Sequence, residues 1–307
     1  MTKLNEVDAL APIVLFTYKR LPVTQQVVNA LLENPESKLS NCIIFSDGPK
    51  NVSDVDKVLE VRNYLYTLHG FKTIEIICRD RNLGLASSFI NGITEVLNRF
   101  ESAIFIEDDN LVSPGFLAFM NKALNVYRDN ERVSCISGYT YPIWPRQSRP
   151  YFIRGAETWS MATWRHSWQH FCRDGKILIE ELKKKNLVNK FSRDGFGFYP
   201  MLHSQVCGEI DSWGVRWWAS AFVNDTYCLY PHSPLCVSIG YGEDSVHCKG
   251  AYSSVFRRPS ELVDEVILES LPKKVEQSIR TTLSIMLMNR VLLKLKSRIH
   301  VLERYFI

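Results

Sequence analysis

The chain has 307 residues, 46% of them apolar, and a formal net charge of +4. That is enough to bury a large core, and length alone admits one large domain or two small ones. The mild, unclustered basic balance favours anionic ligands weakly and, with no RNA or DNA motif present, excludes nucleic acid as an expected partner. The eight cysteines are widely spread with no C-x-x-C pair, and the charged N-terminus does not read as a signal peptide, so reduced thiols in a cytosol are expected. Cys207, Cys228, Cys236 and Cys248 lie near His203, His232 and His247, but their irregular spacing reads as ordinary core residues, not a structural zinc site.

From residue 12 to 110 apolar runs alternate with helical patterns. A strand at Ile13-Val14-Leu15-Phe16 precedes a helix near Val23 to Glu33, and the strand Cys42-Ile43-Ile44-Phe45 precedes a helix near Val52 to Leu68. The strand Thr73 to Cys78, a helix near Ala86 to Arg99 and a strand ending at Glu107 continue the βαβ punctuation, which implies a parallel, doubly wound sheet. No G-x-G-x-x-G follows the first strand and no G-x-x-x-x-G-K-[ST] occurs, so phosphates must be held in some other way than by a dinucleotide fingerprint or a P-loop.

At the end of the apolar run Ala103-Ile104-Phe105-Ile106 stand three consecutive carboxylates, Glu107-Asp108-Asp109. A buried strand delivers its last side chains to the carboxyl edge of an α/β sheet, where ligands bind, and adjacent carboxylates suit hard cations such as Mg²⁺ or Mn²⁺. A nucleotide diphosphate is the expected ligand. A solvated turn capping the helix that starts near Pro114 would need only one acid, or Ser113.

Beyond Ser113 a helix runs to Tyr127 and a strand spans Val133 to Ser137, followed by a stretch rich in Trp and Tyr. Trp159, Trp164, Trp168, Trp213, Trp217 and Trp218 offer flat faces suited to a pyranose, although core packing is the expected role for most. Ile177 to Lys190 reads as one Lys- and Glu-rich helix with a solvated face. From Thr281 to Ile307, Ile285, Met288, Val291, Leu292, Leu295, Ile299 and Leu302 share a helical face while Arg290, Lys294 and Arg298 line another. This basic amphipathic tail is too charged to span a bilayer; it could lie on an anionic membrane surface, pack on the body or mediate dimerisation.

Thr17-Tyr18-Lys19-Arg20, Ser46-Asp47-Gly48-Pro49, Arg81-Asn82-Leu83-Gly84-Leu85-Ala86 and Glu107-Asp108-Asp109 together resemble glycosyltransferases of the GT-A type. The first third is similar to bacterial family-2-like transferases. Glu107-Asp108-Asp109 with Ser113-Pro114-x-Phe116 resembles the N-acetylglucosaminyltransferase I group, as do, in order, Ser134 to Ser137, Trp159 to Arg165, Asp211-Ser212-Trp213 and Gly240-Tyr241-Gly242-x-x-Ser245-x-His247. The resemblance covers most of the chain and implies a GT-A fold: an α/β domain with a mostly parallel central sheet flanked by helices. Residues 1–112 would form its donor-binding half, 113–270 its acceptor-binding and catalytic half, and 271–307 the tail.

The resemblance also implies roles. Arg20 would lie by the nucleotide. Asp47 would accept the imide N–H of uracil, or form an ordinary Asp-Gly-Pro turn, or both. Arg81 and Asn82 would contact ribose or phosphate, unless Asn82 only shapes the loop and Arg81 faces solvent. Asp109 would ligate the metal directly, with Glu107 and Asp108 supporting ribose, sugar hydroxyls or metal waters. An inverting transfer needs a carboxylate to deprotonate the acceptor hydroxyl, and Asp211 is the choice, its basicity raised by desolvation beside a Trp. Glu209 is its rival, and capping of the helix through Arg216 to Phe222 is the alternative role for Asp211. The resembled group has a second acid where this chain has Ser212. Trp159, Trp213, Glu243 and Asp244 are placed around the acceptor, and the Gly240 to Lys249 loop would close over the donor, with His247 touching the diphosphate or metal.

The resulting expectation is a cytoplasmic, Mn²⁺- or Mg²⁺-dependent, inverting transferase using a UDP-sugar and a glycan or lipid-linked acceptor in bacterial surface polysaccharide synthesis, seated peripherally on the inner face of the membrane. The alternatives are a retaining transferase and a catalytically silent glycan- or nucleotide-binding assembly protein. A sugar-nucleotide pyrophosphorylase would need a Gly-rich loop after the first strand, and Thr17 to Pro22 has no glycine.

Overall fold

A computed structural model describes residues 10–141, 148–194, 197–240, 272, 274 and 275. In chain order the elements are β1 (Ile13–Thr17), α1 (Leu21–Leu32), β2 (Asn41–Ser46), α2 (Val55–Leu65), β3 (Thr73–Cys78), α3 (Leu85–Arg99), β4 (Ser102–Glu107), β5 (Asn110–Val112) and α4 (Phe116–Val126). They continue as β6 (Val133–Ser137), β7 (Tyr151–Arg154), β8 (Met161–Trp164), α5 (Arg165–Trp168), α6 (Gly175–Lys184), α7 (Val188–Asp194), α8 (Phe198–Val206), α9 (Trp213–Val223), β9 (Tyr227–Tyr230) and β10 (Cys236–Ser238).

An eight-stranded sheet runs in the order β3-β2-β1-β4-β8-β6-β9-β7, and β5 pairs with β10 in a second, two-stranded sheet. β1 to β4 are mutually parallel; β8 opposes β4 and β6, while β9 runs parallel to β6 and β7 opposes it. The expected mostly parallel sheet flanked by helices is therefore present. β1, held between β2 and β4 and covered on both faces, is buried throughout, which is why its sequence is an unbroken apolar run and not an alternation. Edge strand β3 alternates instead, with Thr73 and Glu75 exposed.

Ile13, Leu15, Ile104 and Ile106 face a core shared with α1, α2 and α4. Val14, Phe16, Ala103 and Phe105 face the opposite core, shared with α3, α6 and α9. The chain thus winds outward from β1 to β3 over one face, then returns through α3 on the other to place β4 beside β1. Strand order reverses between β1 and β4, and the crevice beyond their carboxyl ends is where a sheet of this kind binds ligands.

The single helix expected over Ile177 to Lys190 is two: α6 ends at Lys184, Asn186 takes a left-handed φ of 54°, and α7 begins at Val188. Three residues in four turns of Lys- and Glu-rich sequence give no periodic signal of such a break, whereas a left-handed Asn is a common helix stop. Trp164, Trp168, Trp213, Trp217 and Trp218 are buried, as core packing requires. Cys228 and Cys236 are also core residues, but Cys207 is exposed beside His203. No helix among the described residues is long and apolar enough to cross a membrane. The amphipathic tail from Thr281 lies outside the described residues.

Candidate functional site

The segments following β1 and β4 meet at the switch point. Phe16 pairs in register with Glu107, and the chain then turns at both strand ends to bring Tyr18 and Arg20 against the acids. The Tyr18 backbone N–H donates to Asp108 Oδ2 at 3.2 Å, and one guanidinium nitrogen of Arg20, Nη2, donates to Asp108 Oδ1 at 2.8 Å and to Asp109 Oδ2 at 2.9 Å. Asp108 is buried; Asp109 keeps 18% of its side chain exposed. Burial pushes Asp108 up to about 6, against the pull of Arg20 and with a further push from Asp109. Burial, with Asp109 and Asp108 beside it, holds Glu107 well above the usual carboxylate range.

A third segment closes this site. β5 begins one residue after Asp109 and pairs with β10, so the Ile239 N–H donates to the Asp109 carbonyl at 2.8 Å and Gly240 follows directly. A Cβ at Gly240 would collide with Asp109 Oδ2 and lie 2.8 Å from Arg20 Nη1, so only glycine lets the chain pass this close. Glu243, Asp244 and His247, expected in the loop that starts here, lie outside the described residues.

Asp47, at the end of β2, is buried and holds the loop after β3. Its Oδ1 accepts from the Gly48 and Leu83 N–H groups at 3.0 Å each, and Oδ2 from Leu83 at 3.2 Å. Burial raises its pKa despite these backbone donors. Gly48 lies against the Arg81 backbone, where a Cβ would come within 2.5 Å of the carbonyl carbon. Asn82 donates to the Gly48 carbonyl at 2.9 Å and accepts from the Gly84 N–H at 3.1 Å, while Arg81 is exposed. The turn-forming role of Asp47 and the loop-shaping role of Asn82 are thus the ones the contacts display.

α9 reaches the same edge through stacked rings. Phe16 stacks on Phe89 at 3.9 Å, and Phe89 on Trp213 at 5.1 Å, so the start of α9 is tied to the end of β1 through the first turns of α3. Trp213, placed by the sequence around the acceptor, has no face to offer: it is 4% exposed, wedged between Phe89 and Trp168. Nor does it desolvate Asp211. That carboxylate is 65% exposed and paired with Arg216 at 3.1 Å. Ser212, not Asp211, caps α9 by accepting from the Val215 N–H. Glu209 is exposed. Trp159 is half-buried, edge-on to Tyr139 at 5.0 Å.

Sequence reasoning missed Glu157, whose only signal is an acid alone in the aromatic stretch from Tyr151 to Trp164. Its oxygens accept from the Thr158 N–H at 2.8 Å and the Tyr230 hydroxyl at 3.2 Å, with the Tyr230 ring stacked on Tyr151. Burial pushes the Cys236 thiol up to about 12, and the charges of Glu157 and Glu107 both add to that push. Burial also raises Glu157 above the ordinary carboxylate range. A raised native pKa contributes stability that is complete in acid and lost as pH rises through the raised value, because the unfolded carboxyl ionises earlier. The wild type is therefore expected to lose stability relative to Glu157→Gln as pH rises from 4 towards 8 in paired thermal melts; a difference that does not change with pH would contradict this placement.

A divalent cation fits this donor set. Asp109 Oδ1 carries no hydrogen bond among the described residues, the donors are hard oxygens, and Mg²⁺ or Mn²⁺ typically takes one or two carboxylates with phosphate and water. Among the described residues no three His, Cys, Asp or Glu side chains converge into a closed cage, so phosphate and water would have to complete such a shell.

No family model matches the chain, and no curated protein does. Among solved structures it is similar to TarS of S. aureus, with 10% identity and a TM-score of 0.33 over 51% of this chain and 28% of that one. It is also similar to a protein of Desulfovibrio desulfuricans G20 described as a nucleotide-diphospho-sugar transferase (10% identity, TM-score 0.34, 57% of this chain and 77% of that one). A third is the bifunctional glycosyltransferase WbbM in its apo form (14% identity, TM-score 0.27, 45% of this chain and 24% of that one). The chain spans little more than a quarter of TarS and less of WbbM. Likenesses of this size assign no activity to it.

Proposed function

We propose that the chain is a metal-dependent glycosyltransferase of GT-A type that moves a sugar from a nucleoside diphosphate donor, a UDP-sugar, to a hydroxyl of a glycan or lipid-linked acceptor in bacterial surface polysaccharide synthesis. The observation that carries this is the meeting of Asp108, Asp109 and Arg20 at the β1/β4 switch point, where partly exposed carboxylate and guanidinium stand together outside the strand ends. Such a pairing offers one group for a cation and one for a phosphate.

In this reading Asp109 would hold Mn²⁺ or Mg²⁺, and the bound ion would neutralise charge gathering on the departing diphosphate. Arg20 binds phosphate. Asp47, with the Arg81–Asn82 loop it organises, borders the base and ribose. Asp211 takes the acceptor proton, with Glu209 as rival; the exposure of Asp211 supports access to an acceptor, and its Arg216 partner fixes its orientation. Inversion at the anomeric carbon follows from single displacement with one base.

The test is proton NMR of donor turnover with UDP-, GDP-, CDP- and dTDP-linked hexoses and Mn²⁺. Release of one nucleotide with inversion of the anomeric configuration is expected. Retained configuration would remove the base role from Asp211, and failure of all four donors with intact protein would favour the assembly-protein reading.

A further inference from the structure

We propose that Arg20 is a built-in counter-ion that couples the two ligands of the site: without donor it neutralises Asp108 and Asp109, and with donor it turns to the diphosphate and leaves Asp109 to the divalent cation. This deepens the transferase reading and rests on it.

The geometry is that of a side chain occupying a cation's place. A single nitrogen of Arg20 donates to both carboxylates, at 2.8 and 2.9 Å, and so lies between them, while Nη1 lies 3.4 Å from the Gly240 carbonyl. A divalent ion approaching Asp109 Oδ2 from that side meets a positive charge already seated there. Across the few ångströms involved, that repulsion weakens ion binding by roughly tenfold or more even in a well-screened site. The guanidinium is not locked in. Its side chain is 25% exposed, it springs from a residue just outside the first turn of α1, and its planar fork matches a diphosphate as well as a carboxylate.

The diphosphate therefore recruits the ion in two ways, by offering oxygen ligands and by removing the competing charge. By linkage, the factor by which the nucleotide tightens the ion equals the factor by which the ion tightens the nucleotide. Gly240 contributes by admitting no side chain between the strap after β10 and this ion pair, so the backbone carbonyl stays within reach of Nη1.

The test is calorimetric titration of the full chain with Mn²⁺ alone, UDP alone and each in the presence of the other, for the wild type, Arg20→Gln and Arg20→Lys. Arg20→Gln is expected to bind Mn²⁺ alone about tenfold tighter than the wild type, to bind UDP alone about tenfold more weakly, and to show a mutual enhancement about tenfold smaller. Arg20→Lys, which keeps the charge, should stay near the wild type for Mn²⁺ alone. An unchanged enhancement in Arg20→Gln, with cooperative binding in the wild type, would overturn the counter-ion role and leave the donor site standing. A wild type that binds neither UDP nor the Mn²⁺ and UDP pair would overturn both. Should Arg20→Gln fail to fold, the side-chain Nε–H resonance of Arg20 in the wild type, assigned by its loss in Arg20→Lys, decides: it should shift on adding UDP without metal, and a fixed resonance contradicts the exchange of partners.

Discussion

Asp109→Asn is expected to lower metal-dependent sugar transfer by roughly 10²- to 10³-fold while leaving the protein folded. The magnitude is that of removing one group that stabilises charge developing in a transition state. Asparagine keeps the shape of Asp109 and can still accept from Arg20, so the contact at Nη2 weakens without leaving a hole. Asp109 is partly exposed and Asp108 retains the guanidinium, so stability should change by about 1 kcal/mol or less. Transfer rates at a series of Mn²⁺ concentrations, read beside thermal melts, check both halves. Unchanged, still metal-responsive turnover would move the cation elsewhere. An unfolded variant would make Asp109 structural.

Phe89→Ala carries the largest expected cost in stability. The ring is 2% exposed and lies between Phe16 at 3.9 Å and Trp213 at 5.1 Å, so truncation opens a cavity that neither β1 nor α9 can fill by itself. Such truncations cost about 3 to 5 kcal/mol, a large share of the stability of an ordinary domain. Phe89→Leu should recover roughly half, because it restores volume without the stacking. The consequence reaches the site, since Phe16 precedes Thr17 in the strand that feeds Arg20, and Trp213 opens the helix behind Asp211. Denaturant midpoints at constant slope measure the loss. A cost below about 1 kcal/mol for the alanine variant would show that the ring stack does not bind α9 to the sheet.

The parallel half of the sheet was legible because β1, β2 and β4 are compact apolar runs, β1 to β3 are each followed by a helix of regular period, and acids or turn residues mark the carboxyl ends. Glu107 to Asp109 announced themselves through contrast: charge immediately after Ala103 to Ile106, which are buried throughout. What sequence could not supply was pairing at long range. The Arg20 contact to Asp108 spans 88 positions and its contact to Gly240 spans 220. β5 and β10 are three residues each, too short to carry a period, yet they deliver Gly240 to Asp109.

The aromatic half misled in a different way. A Trp in sequence has the same faces whether it meets a sugar or a core, and only packing distinguishes them, which is why Trp213 read as an acceptor platform and lies stacked in the interior. Asp211, two residues before that Trp, read as desolvated, but side chains at a helix start point in different directions, and the carboxylate is exposed and paired with Arg216. The cap fell to Ser212 because its hydroxyl sits one residue closer to the N–H groups that need an acceptor.

Calorimetric titration of UDP, GDP, CDP and dTDP, each with and without Mn²⁺, into the purified chain and its Asp109→Asn variant probes the donor site at the β1/β4 switch point. One diphosphate should bind in preference to the others, tighten with Mn²⁺, and lose that metal-dependent gain in the variant. Binding of none of the four, with or without metal, would contradict a donor site at the β1/β4 switch point.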